Sequence, residues 1–294
     1  MTLAAALFGA AAISFSAIFF ALADVSPVTG AFYRTFYALP LLFLLWWLRR
    51  DADDRPAASR WIAVGAGVAL GLDMVAWHSA IDNIGAGLAT LLANSQVIFV
   101  AVAAWVLHKE KPSRQVLIAI PVILTGVAMV SGIGQQDAFG ENPLLGTAFG
   151  LVAAMFYAVF LLGYRNSNTS HAPAAGPLLE ATFGAMLISL VVGVIGPGIE
   201  LAPTWPAHGW LLALALGAQV VGWLMIGYAL PRLPAVETAT IVLLQPVLTT
   251  VWGILIFGER PSSLQVMGAV VVLSGVSLVA VSRARAPAQP VEAS

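Results

Sequence analysis

Apolar residues in this chain fall into runs long enough to cross a lipid bilayer, and little lies between the runs. Hydrophobic residues make up 60% of the 294 and charged residues 9%, where a soluble domain carries roughly 25% charged. Mean hydropathy is +0.92, too apolar for a protein that must cover its outer face with polar groups. A spanning helix needs about 20 apolar residues. Runs of that kind lie near Leu3–Ala23, Val28–Leu48, Trp61–Ala80, Ile84–Leu107, Gln115–Ile133, Leu144–Tyr164, Ala174–Ile195, Trp210–Leu230, Ala235–Phe257 and Ser263–Val281. They predict an all-α integral membrane protein of ten transmembrane helices. The first run ends in Ala21-Leu22-Ala23, like a cleavage site, but no Lys or Arg precedes it, so it reads as a retained helix.

Composition removes several function classes. Thirteen Lys+Arg against fourteen Asp+Glu give a net charge of −1, with no basic surface for nucleic acid. The absence of cysteine excludes disulfides, thiolate metal sites and cysteine nucleophiles. Four scattered histidines suggest no metal cluster, and no Gly-rich phosphate loop is present. Neither a cofactor nor a catalytic residue is expected.

The chain repeats itself. Phe8-Gly9, Ala12, Phe15, Ala17 and Phe19 match Phe149-Gly150, Ala153, Phe156, Ala158 and Phe160 at a constant offset. Gly71, Asp73, Val75 and Trp77 match Gly217, Gln219, Val221 and Trp223. Gln96, Glu110-Lys111-Pro112-Ser113 and Gly126-Val127 match Gln245, Glu259-Arg260-Pro261-Ser262 and Gly275-Val276. The repeats occupy residues 1–135 and 141–284, with 285–294 an Ala/Pro-rich tail expected to be disordered. Five helices per repeat is an odd number, so the second repeat is expected upside down relative to the first.

Basic residues set the orientation. With the N-terminus inside, one face receives Arg49, Arg50, Arg55, Arg60, Lys109, Lys111, Arg114, Arg165, Arg232, Arg283 and Arg285. The other receives only Arg260, with Asp24, Asp82, Asp137, Glu141, Glu200 and Glu259. Both termini are therefore expected in the cytoplasm, the membrane being a bacterial inner membrane.

The helix–loop–helix segments from Gln96 to Val127 and from Gln245 to Val276 carry a family resemblance. With Gln245-Pro246 and Gly258-Glu259-Arg260, the second is similar to the pattern of the drug/metabolite transporter superfamily, within it the ten-helix exporters built from two EamA-type repeats. The first departs from that pattern at Val97 and at His108-Lys109, and the opening helix carries Phe8-Gly9 instead of Trp-Gly. The resemblance implies a secondary exporter of amino acids and related metabolites, and one branch resembles an aromatic amino acid exporter.

Polar side chains inside hydrocarbon are costly unless they face a cavity or a partner. Counting helical rise puts Arg34 and Asp73 at similar depth on adjacent helices, roughly 9–12 Å from the outer boundary. They form either a buried ion pair that fixes packing or the two ends of a site for a charged substrate. Gln96, Gln219 and Gln245 fall near the midplane, with Asn94 beside Gln96, either bonding between helices or lining a cavity. Trp77 and Trp223 lie one turn beyond Asp73 and Gln219 on the same helix faces, placed to stack an apolar side chain or simply to pack. Tyr33, Tyr37, Ser14, Ser16 and Tyr157 are candidates for the same space, and His78 for a solvated outer vestibule. Asp73 and Glu180 are candidate proton carriers. Trp46, Trp47, Trp61, Trp105, Trp205 and Trp210 read as interfacial anchors. The Glu-Lys/Arg-Pro-Ser turns read as helix starts, the carboxylate favouring the helix N-terminus.

Together these features predict a carrier of small amphiphilic metabolites, amino acids with aromatic or hydrophobic side chains foremost, moved by alternating access, with or without protons. A nucleotide-sugar or sugar-phosphate carrier of the same superfamily, a channel and an intramembrane enzyme are the alternatives. Monomer and homodimer are both open.

Overall fold

In the computed structural model the described residues are 2–108, 113–167, 173–196, 198–229, 233 and 235–285. Lys109-Glu110-Lys111-Pro112 of the first turn, Arg232 and the tail from 286 lie outside them. All regular structure among the described residues is helical. Among the described residues seven helices are long and apolar enough to cross a membrane, by length and composition, and two shorter apolar helices, Arg114–Val130 and Leu243–Phe257, accompany them.

The first apolar run is interrupted. Helix α1 (Thr2–Ser14) stops and α2 (Ser16–Ala23) restarts one residue later. Helix α3 (Pro27–Trp47) begins with a Ser26 side chain that accepts from the Thr29 N–H, and with proline at its first position, where the missing N–H costs nothing. Helix α4 (Ala57–Ala93) contains a break at Gly85, φ 81° and ψ 167°, a conformation open essentially to glycine alone. The two apolar runs expected near Trp61–Ala80 and Ile84–Leu107 thus lie mainly on either side of the kink at Gly85, within the apolar stretch Ala57–Ala103. Helix α5 (Gln96–His108) follows after a short step at Asn94-Ser95, then α6 (Arg114–Val130).

The remaining elements are α7 (Pro143–Ser167), α8 (Ala175–Ile195), α9 (Ala207–Ala213), a π-helical segment Leu214–Gly222, α10 (Trp223–Ala229), α11 (Ala235–Trp252) with a π-turn Gly253–Phe257, and α12 (Ser263–Arg285). A capping box starts α12: the Gln265 N–H donates to Ser262 Oγ and the Ser262 N–H donates to Gln265 Oε1.

Small residues bring the helices together, as expected where lipid offers no hydrophobic drive for association. Helix α4 crosses α8 with Gly67 and Gly71 against the Ala181 and Ala185 backbone and Gly184 against Val64. Helices α6 and α12 cross antiparallel, Gly126 facing Gly268 and Ala119 facing Gly275. A Cβ on Gly126 would stand 2.7 Å from the Gly268 carbonyl oxygen, so bulk there would force the pair apart.

Candidate functional site

A cavity of about 100 Å³ lies between α1, α2, α3, α4, the start of α5, α7, α10 and α11. One wall comes from α4 and its end: Leu70, Asp73, Met74 and Trp77 before the Gly85 break, then Thr90, Ala93, Asn94 and Gln96 after it. The opposite side is built from Ile13, Ser16, Arg34, Tyr157, Trp223, Gln245 and Thr249. Because Asp73 and Trp77 are four residues apart, both reach the space from the same helix face.

The local breaks in the helices serve this site. Stopping α1 at Ser14 frees its carbonyl, which accepts from Thr249 Oγ1 at 2.9 Å, while Ser14 Oγ accepts from Trp252 Nε1 at 3.1 Å. Phe15, at the break, stacks on Trp252 with centroids 4.9 Å apart. The π-helical segment contains Gln219, fully buried behind the wall. Its Oε1 accepts from Arg34 Nε at 3.0 Å, and its Nε2 donates to Thr182 Oγ1 at 3.2 Å. Such bulges in otherwise α-helical spans are frequent where side chains must be re-aimed at a site.

Arg34 and Asp73 line the same space, yet among the described residues no ion pair of 4.0 Å or less joins them. Arg34 is instead held by neutral oxygens: Gln219 Oε1, and Ser16 Oγ at 2.9 Å. Its guanidinium carbon lies 5.8 Å from the Trp77 ring centroid. Of the two alternatives for this pair, the packing ion pair is not formed at 4.0 Å or less, and neutral partners on α2 and the π-segment hold the guanidinium. Gln96 Oε1 and Thr90 Oγ1 also line the cavity without a protein hydrogen-bond partner. Since unsatisfied buried polar atoms are costly, these suit water or a ligand.

Other candidates lie elsewhere. His78 is fully buried, not in a solvated vestibule: it stacks on Phe20 at 3.8 Å, and its Nδ1 lies 3.1 Å from the Pro27 carbonyl oxygen. Although its ring still lies 5.3 Å from that of Trp77, the side chain packs into the α2–α3 junction. Tyr33 donates to the Leu201 carbonyl oxygen, and Tyr37 Oη lies 2.6 Å from His208 Nδ1, so both belong to a cluster outside the cavity lining. Ser14 faces α11, as above. Glu180 is also outside the lining: Arg55 donates to it from Nη1 at 2.8 Å and Nη2 at 3.0 Å. Of the expected interfacial anchors, Trp47, Trp61, Trp105 and Trp205 are exposed, whereas Trp46 donates to Asp53 and Trp210 stacks on Phe19.

Sequence patterning missed two arrangements. Arg55 is fully buried and forks into both Asp53, at 2.8 and 2.9 Å, and Glu180. Glu259 does not serve the helix that follows it. Its carboxylate accepts from the Ala86 N–H at 2.6 Å and the Gly87 N–H at 3.2 Å, just past the α4 break. The glycines at 85, 87 and 253 were the available signal, since a Cβ at 85 or 253 would collide with that carboxylate and one at 87 would stand 3.2 Å from it.

Known proteins resemble this chain in sequence or in fold. An uncharacterized transporter of Archaeoglobus fulgidus is 25% identical over 90% of this chain and 91% of its own length. The uncharacterized transporter YcbK of Bacillus subtilis is 25% identical over 82% of this chain and 80% of its own. The threonine/homoserine exporter RhtA of Escherichia coli is 26% identical over 71% and 68%. A solved crystal structure superposes with a TM-score of 0.61 over 96% of this chain and 99% of its own, at 16% identity, a likeness of fold alone. The EamA-like transporter family matches the chain twice, over residues 1–132 and 144–281. With both halves matched, the chain is an integral membrane protein belonging to the EamA-like transporter family.

Proposed function

We propose that the protein is a secondary exporter of amino acids with aromatic or hydrophobic side chains, working by alternating access between two inverted five-helix halves. The observation that carries the substrate reading is the pairing of Arg34 and Asp73 around one cavity without mutual neutralisation. A cation and an acid left facing the same space complement the carboxylate and ammonium of a zwitterion. Trp77 and Trp223 supply apolar faces for a side chain, and the name of the RhtA relative supports the amino acid class.

The two-half architecture, 1–135 and 141–284, draws support from sequence mates that line one cavity: Ser16 with Tyr157, Trp77 with Trp223, and Gln96 with Gln245. Gly126 and Ala119 have as mates Gly275 and Gly268, and their contacts interchange under that exchange, across an antiparallel crossing. Dividing the 47-residue stretch at Gly85 and including the two shorter apolar helices gives ten spans. The basic residues around Arg55 support a reading with that end, and both termini, on the cytoplasmic side of a bacterial inner membrane.

Binding and efflux assays test the reading. Purified protein should be stabilised thermally by phenylalanine or leucine, and not by nucleotide sugars; stabilisation by nucleotide sugars alone would overturn it. Trp77→Ala should weaken aromatic substrates about tenfold, the scale of a lost buried aromatic contact, and small aliphatic ones less. Asp73→Asn should change the pH dependence of efflux if that carboxylate carries the coupled proton. An unaltered pH profile would remove Asp73 from that role.

A further inference from the structure

We propose that Glu259 is a positioning residue that latches the two halves together at one face of the cavity, with Arg55, Asp53 and Glu180 forming the opposing latch at the other face. The inference rests on the alternating-access reading above and adds the contacts that close each face.

The two clusters lie at opposite ends of one helical arm. Arg55 immediately precedes α4, and the Glu259 contacts lie just past Ile84; an arm from Ala57 to Ile84 is about 42 Å long at 1.5 Å per residue. Each cluster also crosses between the two matched stretches of the chain. Glu259, in the second, holds Ala86 and Gly87 in the first; Arg55, in the first, holds Glu180 in the second.

Both are shaped for their occupants. Ideal Cβ atoms on Gly85 and Gly87 would meet the Glu259 carboxylate at 2.7 and 3.2 Å, and one on Gly253 would overlap it. A Cβ on Gly176 would stand 2.6 Å from Arg55 Nη2 and 2.7 Å from Asp53 Oδ2. Backbone from each half has thus been cleared of side chains around one charged group. Glu259 is itself 5% exposed, so its charge is met by the two amide donors and the oriented dipoles of the arm that begins at Ala86.

That arm carries Thr90 and Ala93 to the cavity and leads into Asn94 and Gln96. Movement of the α11–α12 connection is therefore passed through the carboxylate to one cavity wall. Few, strong, charge-assisted bonds suit a face that must close firmly and release cleanly.

The chain has no cysteine, so a single Ala93→Cys probe in the cavity wall reports access without background. Labelling by a membrane-impermeant thiol reagent is compared from each face, using right-side-out and inside-out vesicles. Glu259→Gln should raise labelling from the Glu259 face about tenfold, the scale set by losing one bond to a charged group, and leave the opposite face unchanged. Glu180→Gln should raise labelling from the Arg55 face alone. Thermal unfolding checks that each variant is folded; if Glu259→Gln is not, Gly253→Ala displaces the carboxylate with its charge retained, and the same one-sided rise is expected. Equal changes at both faces, or none, overturn the proposal. Labelling needs no substrate, so that failure would leave the substrate-binding assays to judge the transport reading separately.

Discussion

At the Arg55 end of the molecule charge meets charge, whereas at the Glu259 end charge meets backbone. Arg55 forks into two carboxylates, Asp53 and Glu180, and Arg60 Nη2 stands 3.8 Å from Asp53 Oδ2. The Arg55 guanidinium, helped by the Trp46 N–H, holds the Asp53 carboxyl down at about 2 against the opposing pull of burial. At the other end, burial pushes the Glu259 carboxyl upward against two amide donors. A buried carboxylate is well satisfied by a guanidinium fork and less fully by two amide hydrogens. The first junction therefore depends on its side chains, and the second on the backbone geometry that aims those amides.

That contrast breaks most sharply with Arg55→Ala. Removing the shared cation leaves two carboxylates facing each other across the junction, and loss of one partner from a buried pair costs about 3–5 kcal/mol. A large drop in thermal stability in detergent is expected; a change as small as that of an exposed arginine would show that the junction is solvated. Next comes Gly85→Ala, which forces a side chain into a φ/ψ region costing about 1–3 kcal/mol and sets its Cβ against the Glu259 carboxylate. It should lower stability measurably, and should lower it less when combined with Glu259→Ala, because part of the cost is shared; strict additivity would argue against contact between the two sites.

The smallest effect is acid sensitivity. Asp53 sits below its ordinary value when folded, so its contribution is complete above the ordinary carboxylate range near 3.9 and is lost as pH falls towards about 2. A plot of melting temperature against pH should therefore stay flat for this group down to roughly pH 4 and then fall. Asp53→Asn should remove that fall. A fall of equal size in the Asn variant would assign it to other carboxylates.

Most of the helical inventory was legible in sequence, because a bilayer imposes length and apolarity on every span independently of its neighbours. The repeat was legible through its polar mates, since Gln96 with Gln245 and Trp77 with Trp223 stand out in an apolar background. Depth put Arg34 near Asp73 and Gln96 near Gln245, spacing added Trp77 and Trp223, and Asn94 and Tyr157 were candidates beside them; all eight line one cavity. Depth carries no azimuth, however. His78 follows Trp77 directly yet points 100° away around the helix, into Phe20 instead of the cavity. Glu180 has a plausible depth for proton transfer, but the loop carrying Arg55 folds back onto it.

The sequence by itself determined that this chain lives in a membrane and that motifs of its first half recur at constant offsets in its second. Those properties follow from hydrophobic length and local spacing, which each segment carries alone. Tertiary structure alone decided that Arg34 takes Gln219 and Ser16 as partners instead of Asp73, and that Glu259 reaches across to Ala86 and Gly87. Partner choice among buried polar groups depends on helix rotation and on glycine-sized gaps between distant segments, and both are set only when the helices pack.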